Sequence, residues 1–197
     1  MTLKRSIQVA LAALTLGTAG IASAAVITID FEGVGNFNPV GDYYNGGPGG
    51  NLGIQFSGPT LALVDADAGG NGNFANEPSP NTIMFFRDAQ NAVLNYLTGF
   101  TTGFSFYYTS SQRFRVDVFD SLDATGTIIG SIELPPQHTS NCAGDPSGTF
   151  CNFTDAGVAF AGTAKSIRFG GGVSQTGFDD ITFGSDTACR ANCDTVP

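Results

Sequence analysis

From residue 26 onward, apolar and polar positions alternate in short runs separated by breaks rich in Gly, Asn and Pro. In RFRVDVFD (113–120), Phe114, Val116 and Val118 fall on one side of an extended segment and Arg113, Arg115 and Asp117 on the other, because successive side chains of a strand point to opposite faces. One face is then buried and the other wet. The same pattern, bounded by turn residues, predicts strands at 26–32, 52–58, 60–65, 82–88, 92–98, 103–109, 113–120, 127–134, 157–162, 165–171 and 177–184. Eleven short strands predict an all-β protein, an antiparallel two-sheet β-sandwich that is jelly-roll-like, with a closed barrel as the other arrangement. Helix is expected only within residues 1–24. Two connections, 33–51 and 65–81, are too long and too rich in glycine for simple hairpins, and loops of that size usually carry function or disorder.

The segment MTLKRSIQVALAALTLGTAGIASA has a basic start, an apolar run and the small-residue triplet Ala22-Ser23-Ala24, the layout of a secretory signal peptide. The expected organisation is therefore a signal peptide at 1–24, a β-sandwich domain at 25–185 and a C-terminal tail with a disulfide at 186–197. The formal net charge is −9 at pH 7, more negative still once Lys4 and Arg5 leave with the leader. Nucleic acid is excluded as a partner on that balance; calcium, plentiful outside the cell, is the cation to expect. No apolar stretch after the leader is long enough to span a membrane. The four cysteines suit an oxidising compartment, with Cys142 expected to pair with Cys151 and Cys189 with Cys193, each partner being close in sequence. A zinc site built from all four thiolates is the competing use.

The last strand, GFDDITFG, sets two adjacent carboxylates among residues that a buried strand would choose. Strict alternation puts Asp179, Ile181 and Phe183 on one side and Phe178, Asp180 and Thr182 on the other, so one carboxylate must approach the core. It then needs strong donors, a proton or a metal. In the first strand, VITIDFE, the residues Thr28, Asp30 and Glu32 share a face opposite Ile27, Ile29 and Phe31. If first and last strands lie side by side, Glu32 and Asp179 meet near one edge, where loop carbonyls could complete an all-oxygen shell for calcium. Spacing alone leaves a second reading open, in which these are solvated strand-end carboxylates.

The pairing of an early D-F-E with a late G-F-D-D-I-T-F resembles the calcium-binding jelly-roll modules of carbohydrate-binding type and MAM-like domains. That resemblance implies Glu32 and Asp179 as calcium ligands, with Asp30 or Asp180 as further ones. The pieces YYNGGPGGNLGIQFSG, ALVDADAGGNGNFANEPSPNTIMFF, NCAGDPSGTFCNF and GTAKSIRFGGGVSQTGFDDITFG are together similar to the sandwich domains of exported bacterial proteins that carry a PEP-CTERM sorting signal. The likeness stops at CDTVP, before the Val-Pro-Glu-Pro motif, apolar helix and basic residues of such proteins. Two readings stay open there: a freely secreted protein, or a sorting tail beyond the given residues.

Other chemistry finds less support. Asp65 and Asp67 in DADAGGNGNF start like an EF-hand loop, but Gly69 and Asn76 occupy positions that need ligands, so turn chemistry is the better reading. His138 is the single histidine and sits in no nucleophile motif, no G-x-S-x-G elbow is present, and GGPGGNLG lacks the context of a phosphate loop. Tyr43, Tyr44 and Phe74 are the candidate ligand-binding aromatics, since sugar rings stack on aromatic faces; Tyr107 and Tyr108 are also available, although alternation turns one of them into the core. The expected function is that of a secreted, non-catalytic extracellular or cell-envelope matrix protein with a structural calcium site. A carbohydrate-binding, lectin-like module with an extracellular polysaccharide as partner is the alternative.

Overall fold

The computed structural model describes residues 25–140, 142–143 and 148–190. Thirteen strands follow one another: β1 (Ile27–Ile29), β2 (Asn45–Gly47), β3 (Gly50–Asn51), β4 (Ile54–Phe56), β5 (Thr60–Val64), β6 (Thr82–Phe86), β7 (Val93–Phe100), β8 (Gly103–Ser110), β9 (Phe114–Phe119), β10 (Ile128–Leu134), β11 (Thr154–Ala159), β12 (Ala164–Phe169) and β13 (Thr176–Phe183). No helix occurs among the described residues. Every run predicted from alternation contains a strand. The two additions, β2 and β3, form a small hairpin inside the first long loop, where Gly46 and Gly50 take left-handed φ values of 91° and 95° that side-chain-bearing residues avoid.

The strands form two main antiparallel sheets. A six-stranded sheet runs β11-β8-β13-β6-β5 with β1 added on β13, and a five-stranded sheet runs β10-β9-β12-β7-β4. Both sheets keep open edges, so the arrangement is a jelly-roll-like sandwich and not a closed barrel. First and last strands are neighbours, Ile27 facing Phe183 and Ile29 facing Ile181.

Between the sheets lies a core dominated by phenylalanine. Phe178 of β13 packs on Phe169 of β12 across the sandwich at 4.8 Å between ring centroids, on Phe106 of β8 at 5.2 Å and on Phe114 of β9 at 5.6 Å. Such offset and edge-on pairs add to the gain from burial. In β9 the predicted faces hold: Phe114, Val116 and Val118 are buried in the core, while Asp117 on the other face is covered by Arg115 at 2.5 Å and Arg168 at 2.9 Å.

The last strand departs from strict alternation. Phe178, Ile181 and Phe183 all belong to the core, which two-residue periodicity forbids. A bulge between Asp179 and Thr182 supplies the missing step, and Asp180 pays for it with a φ of 46°. An extra residue in a bulge reverses the parity of all that follows, so Phe178 does not share a face with Thr182 as alternation predicted.

Cys142 and Cys151 form a disulfide with Cα atoms 5.2 Å apart, which removes the four-thiolate zinc arrangement. The expected partner of Cys189, Cys193, lies outside the described residues, as do the leader at 1–24 and the end of the tail. The backbone N–H of Cys189 donates to Thr182 Oγ1 at 3.2 Å, tying the start of the tail to β13.

Candidate functional site

Two places gather polar chemistry. The first surrounds the junction of β1 and β13. Asp179 is fully buried; it accepts the Ser79 N–H at 2.8 Å on Oδ2, the Ser79 hydroxyl at 2.8–2.9 Å, and the Asp180 N–H at 2.8 Å on Oδ1. Burial holds its carboxyl well above the ordinary range; the Ser79 N–H opposes that shift and the neighbouring Asp180 charge adds to it. Glu32 accepts the N–H groups of Asn81 and Thr82, each at 2.8 Å on Oε1, and the Thr82 hydroxyl at 3.2 Å. Both acids therefore grip the end of the second long loop and the start of β6, Ser79 to Thr82, Glu32 from the turn after β1 and Asp179 from β13. Asp30 turns its carboxylate to the Glu32 N–H at 3.1 Å, and Asp180 is buried at the bulge.

The oxygens around Ser79 bear on calcium. Asp30 O at 3.1 Å, Thr82 O at 3.3 Å and both Asp179 carboxylate oxygens converge on the single Ser79 Oγ, which has one proton to give. Two carbonyls and a carboxylate are donors of the hard-oxygen kind calcium accepts, and the Ser79 hydroxyl occupies the point on which they converge. Among the described residues no group of three or more His, Cys, Asp or Glu side chains is arranged to hold a metal. Of the four expected ligands, Asp179 faces this cradle with its carboxylate and Asp30 with its carbonyl, while Glu32 lies outside it; the Asp179 and Glu32 carboxylates both accept backbone N–H groups.

Tyr43 and Tyr44, expected as a sugar platform, serve packing instead. Tyr44 is buried, its hydroxyl accepts the Phe31 N–H at 2.9 Å, and burial pushes that phenol far up, with Asp30 adding to the shift. Tyr43 donates to Glu32 O at 3.1 Å and meets the Tyr44 ring edge-on at 4.9 Å. Strained backbone at Phe31, φ 64°, needs these supports, and the adjacent Tyr-Tyr pair provides them.

The second place is a groove of about 220 Å³ on the outer face of the six-stranded sheet. Its floor comes from alternate residues that the core does not use: Leu63 of β5, Ile83 and Phe85 of β6, Thr109 of β8 and Gly177 of β13. Its walls come from Phe37 of the first long loop, Asn71, Asn73 and Phe74 of the second, Arg87 just past β6, and Phe150 of the connection between β10 and β11. Sheet and loops are joined by backbone pairing, Phe37 N to Ala62 O at 2.9 Å and Thr149 N to Asn73 O at 2.8 Å, and by Asn36, which accepts from Val64 N and donates to Asn71 Oδ1. Gly177 leaves the floor open: a Cβ there would stand 2.6 Å from Ile83 Cδ1.

Phe37 is 41% exposed, a ring held edge-on to Phe85 at 6.1 Å with room for a guest on its outer side. Arg87 lies over both rings, 5.5 Å from the Phe37 centroid and 6.0 Å from that of Phe85. Thr109 is buried, and its hydroxyl has no hydrogen-bond partner among the described residues. Of the aromatics expected from sequence, Phe74 lines this groove. Phe37, Phe85, Arg87, Thr109 and Phe150 were not foreseen; the signal available was TIMFF, an unbroken apolar run, which means a strand covered on both faces.

Solved structures with a similar arrangement include a family 6 carbohydrate-binding module studied for its binding sub-sites, 14% identical over 81% of this chain and 93% of that one, TM-score 0.41. A carbohydrate-binding module of the Cellvibrio mixtus lichenase 5A, solved with cellotriose, is 13% identical over 64% of this chain and 88% of that one, TM-score 0.33. A Bacillus subtilis arabinoxylan arabinofuranohydrolase of glycoside hydrolase family 43, solved with cellotetraose, matches over 66% of this chain but 25% of its own, at 16% identity and TM-score 0.39. No family model and no curated protein matches the chain. The sandwich itself is established by the strand pairings described above.

Proposed function

We propose that the protein is a non-catalytic carbohydrate-binding module whose site is the groove on the outer face of the six-stranded sheet. The observation that carries this reading is the exposed Phe37 ring beside a recess walled by the Asn71 and Asn73 amides. A sugar presents an apolar C–H face to an aromatic ring and hydroxyls to amides, and this groove offers both within one small volume. Export and a place at the cell surface belong to the same reading, supported by the Cys142–Cys151 disulfide. Affinity electrophoresis against a polysaccharide panel tests it: at least one polysaccharide should retard the protein, and Phe37→Ala should abolish that retardation. Leu97→Ala, at an exposed apolar position on β7, should leave it intact. No retardation by any polysaccharide, indifference to Phe37→Ala, or turnover of the polymer would overturn the proposal.

A structural calcium ion is a second part of this reading, favoured by the convergence of oxygens on Ser79 Oγ. Asp179 would hold the ion with its carboxylate, and Asp30 and Thr82 with their carbonyls. Bound there, it would neutralise the buried acid and fasten the second long loop to the sandwich. Binding to the native state alone would raise the melting temperature with calcium concentration, and Asp179→Asn should remove most of that rise. Equal melting in chelator and in excess calcium would defeat this part.

A further inference from the structure

We infer that the groove selects acidic polysaccharides, seating a uronate carboxylate on the Arg87 guanidinium while an adjoining sugar ring lies against Phe37; this rests on the carbohydrate-binding reading above. The chain has 17 acidic and 8 basic residues, yet no Asp or Glu lines the groove, and Arg87 is its one charged residue. On the opposite sheet Arg115 and Arg168 are both taken up by Asp117, at 2.5 Å and 2.9 Å. Arg87 forms no ion pair among the described residues.

The nearest acid in sequence, Asp88, is turned to its own loop, accepting from Gln90 N at 3.0 Å, Asn91 N at 3.3 Å and Asn91 Nδ2 at 2.6 Å. The Phe37 and Phe85 rings hold the guanidinium carbon above them by cation–π attraction. What such a group presents to a guest is its planar edge of N–H donors, which matches a planar carboxylate in two parallel hydrogen bonds.

Net charge sharpens the inference. A protein at −9 repels a polyanion at long range, so indiscriminate adsorption of acidic polymers is disfavoured and selective binding must come from short contacts in the groove.

Isothermal titration of the full chain in calcium-free buffer decides the matter, using oligogalacturonate, its methyl ester, a neutral cello-oligosaccharide and a sulfated oligosaccharide. Oligogalacturonate should bind about tenfold or more tighter than its methyl ester. Arg87→Gln should lower the affinity for the acid to that of the ester while leaving the ester unchanged. Arg87 is exposed, and an unchanged melting temperature of the variant confirms that the fold is kept. Equal affinity for neutral and acidic sugars, insensitive to Arg87→Gln, overturns this inference and leaves the carbohydrate-binding reading standing. Stronger binding of the sulfated sugar overturns the carboxylate assignment. Absence of binding to all four probes, together with no retardation in the wider polysaccharide panel, overturns both.

Discussion

Replacing Glu32 by alanine tests whether a carboxylate in the turn after the first strand holds the second long loop in place. The side chain accepts two backbone N–H groups at 2.8 Å and a hydroxyl at 3.2 Å. Hydrogen bonds to a charged group contribute about 1.5–3 kcal/mol each, and an N–H left buried without a partner costs about as much. Glu32 is half-buried, so the lower end applies; the two N–H bonds then give a loss of about 3 kcal/mol for Glu32→Ala. For a domain of this size each kcal/mol shifts the melting temperature by about 2–4 °C, which gives a drop of about 6–12 °C. Glu32→Gln keeps an acceptor oxygen for the same N–H groups and should lose about 1 kcal/mol, chiefly the charge assistance. Thermal unfolding followed by near-ultraviolet circular dichroism, in chelator, measures both variants with no contribution from calcium. A Glu32→Ala melt within about 2 °C of the parent would refute the loop-anchoring argument; a deficit seen only with calcium present would show that the residue acts through the ion.

Two more outcomes follow from the same kind of reasoning. Burial pushes the Asp117 carboxyl up, but donors from Ser131, Arg115 and Arg168 outweigh it and hold the group below its ordinary value. Its contribution is therefore present above the unfolded value near pH 4 and fades as acid protonates the folded form. Asp117→Asn should cost about 1–2 kcal/mol at pH 7, and urea titrations at pH 7 and pH 3 should show that difference shrinking in acid; a constant gap would contradict the assignment. Replacing both Cys142 and Cys151 by serine opens a link of sequence separation 9, for which loop entropy predicts a loss of about 2–3 kcal/mol. Phe150 sits next to Cys151 in the groove wall, so the same variant should weaken glycan binding at a temperature where it is still folded.

Alternation made the two-sheet layout readable where a strand is wet on one side, as in β10, whose Ile132 and Leu134 are buried while Ser131 and Glu133 are exposed. The neighbouring positions of β1 and β13 were within reach only as a condition, because first and last strands of a sandwich often sit side by side while the acids alone left solvated strand ends equally open. The bulge at Asp179 was not. Its left-handed residue is an aspartate, and sequence signals for that conformation rest on glycine or asparagine. For the groove, the two long loops pointed to the right part of the chain, but which side chains face it depends on how those loops fold back on the sheet. Tyr43 and Tyr44 illustrate the limit: composition suggested a sugar platform, whereas burial and a hydrogen bond to Phe31 make Tyr44 a prop for the strained start of the loop.

Because β1 lies beside β13, the chain enters the sandwich at the pole where Ile27 faces Phe183, and beyond Phe183 it turns back, with the Cys189 N–H on Thr182 Oγ1 and Arg190 over the Tyr107 ring. The groove floor meets β13 at Gly177, six residues and roughly 20 Å up the strand. A neighbour joined covalently before Ile27 would hang from the pole remote from the recess, whereas one joined beyond Arg190 would start over Tyr107, two residues along β8 from Thr109 of the groove. A copy tethered through its first strand would hold its mouth outward, clear of the surface to which it is fixed.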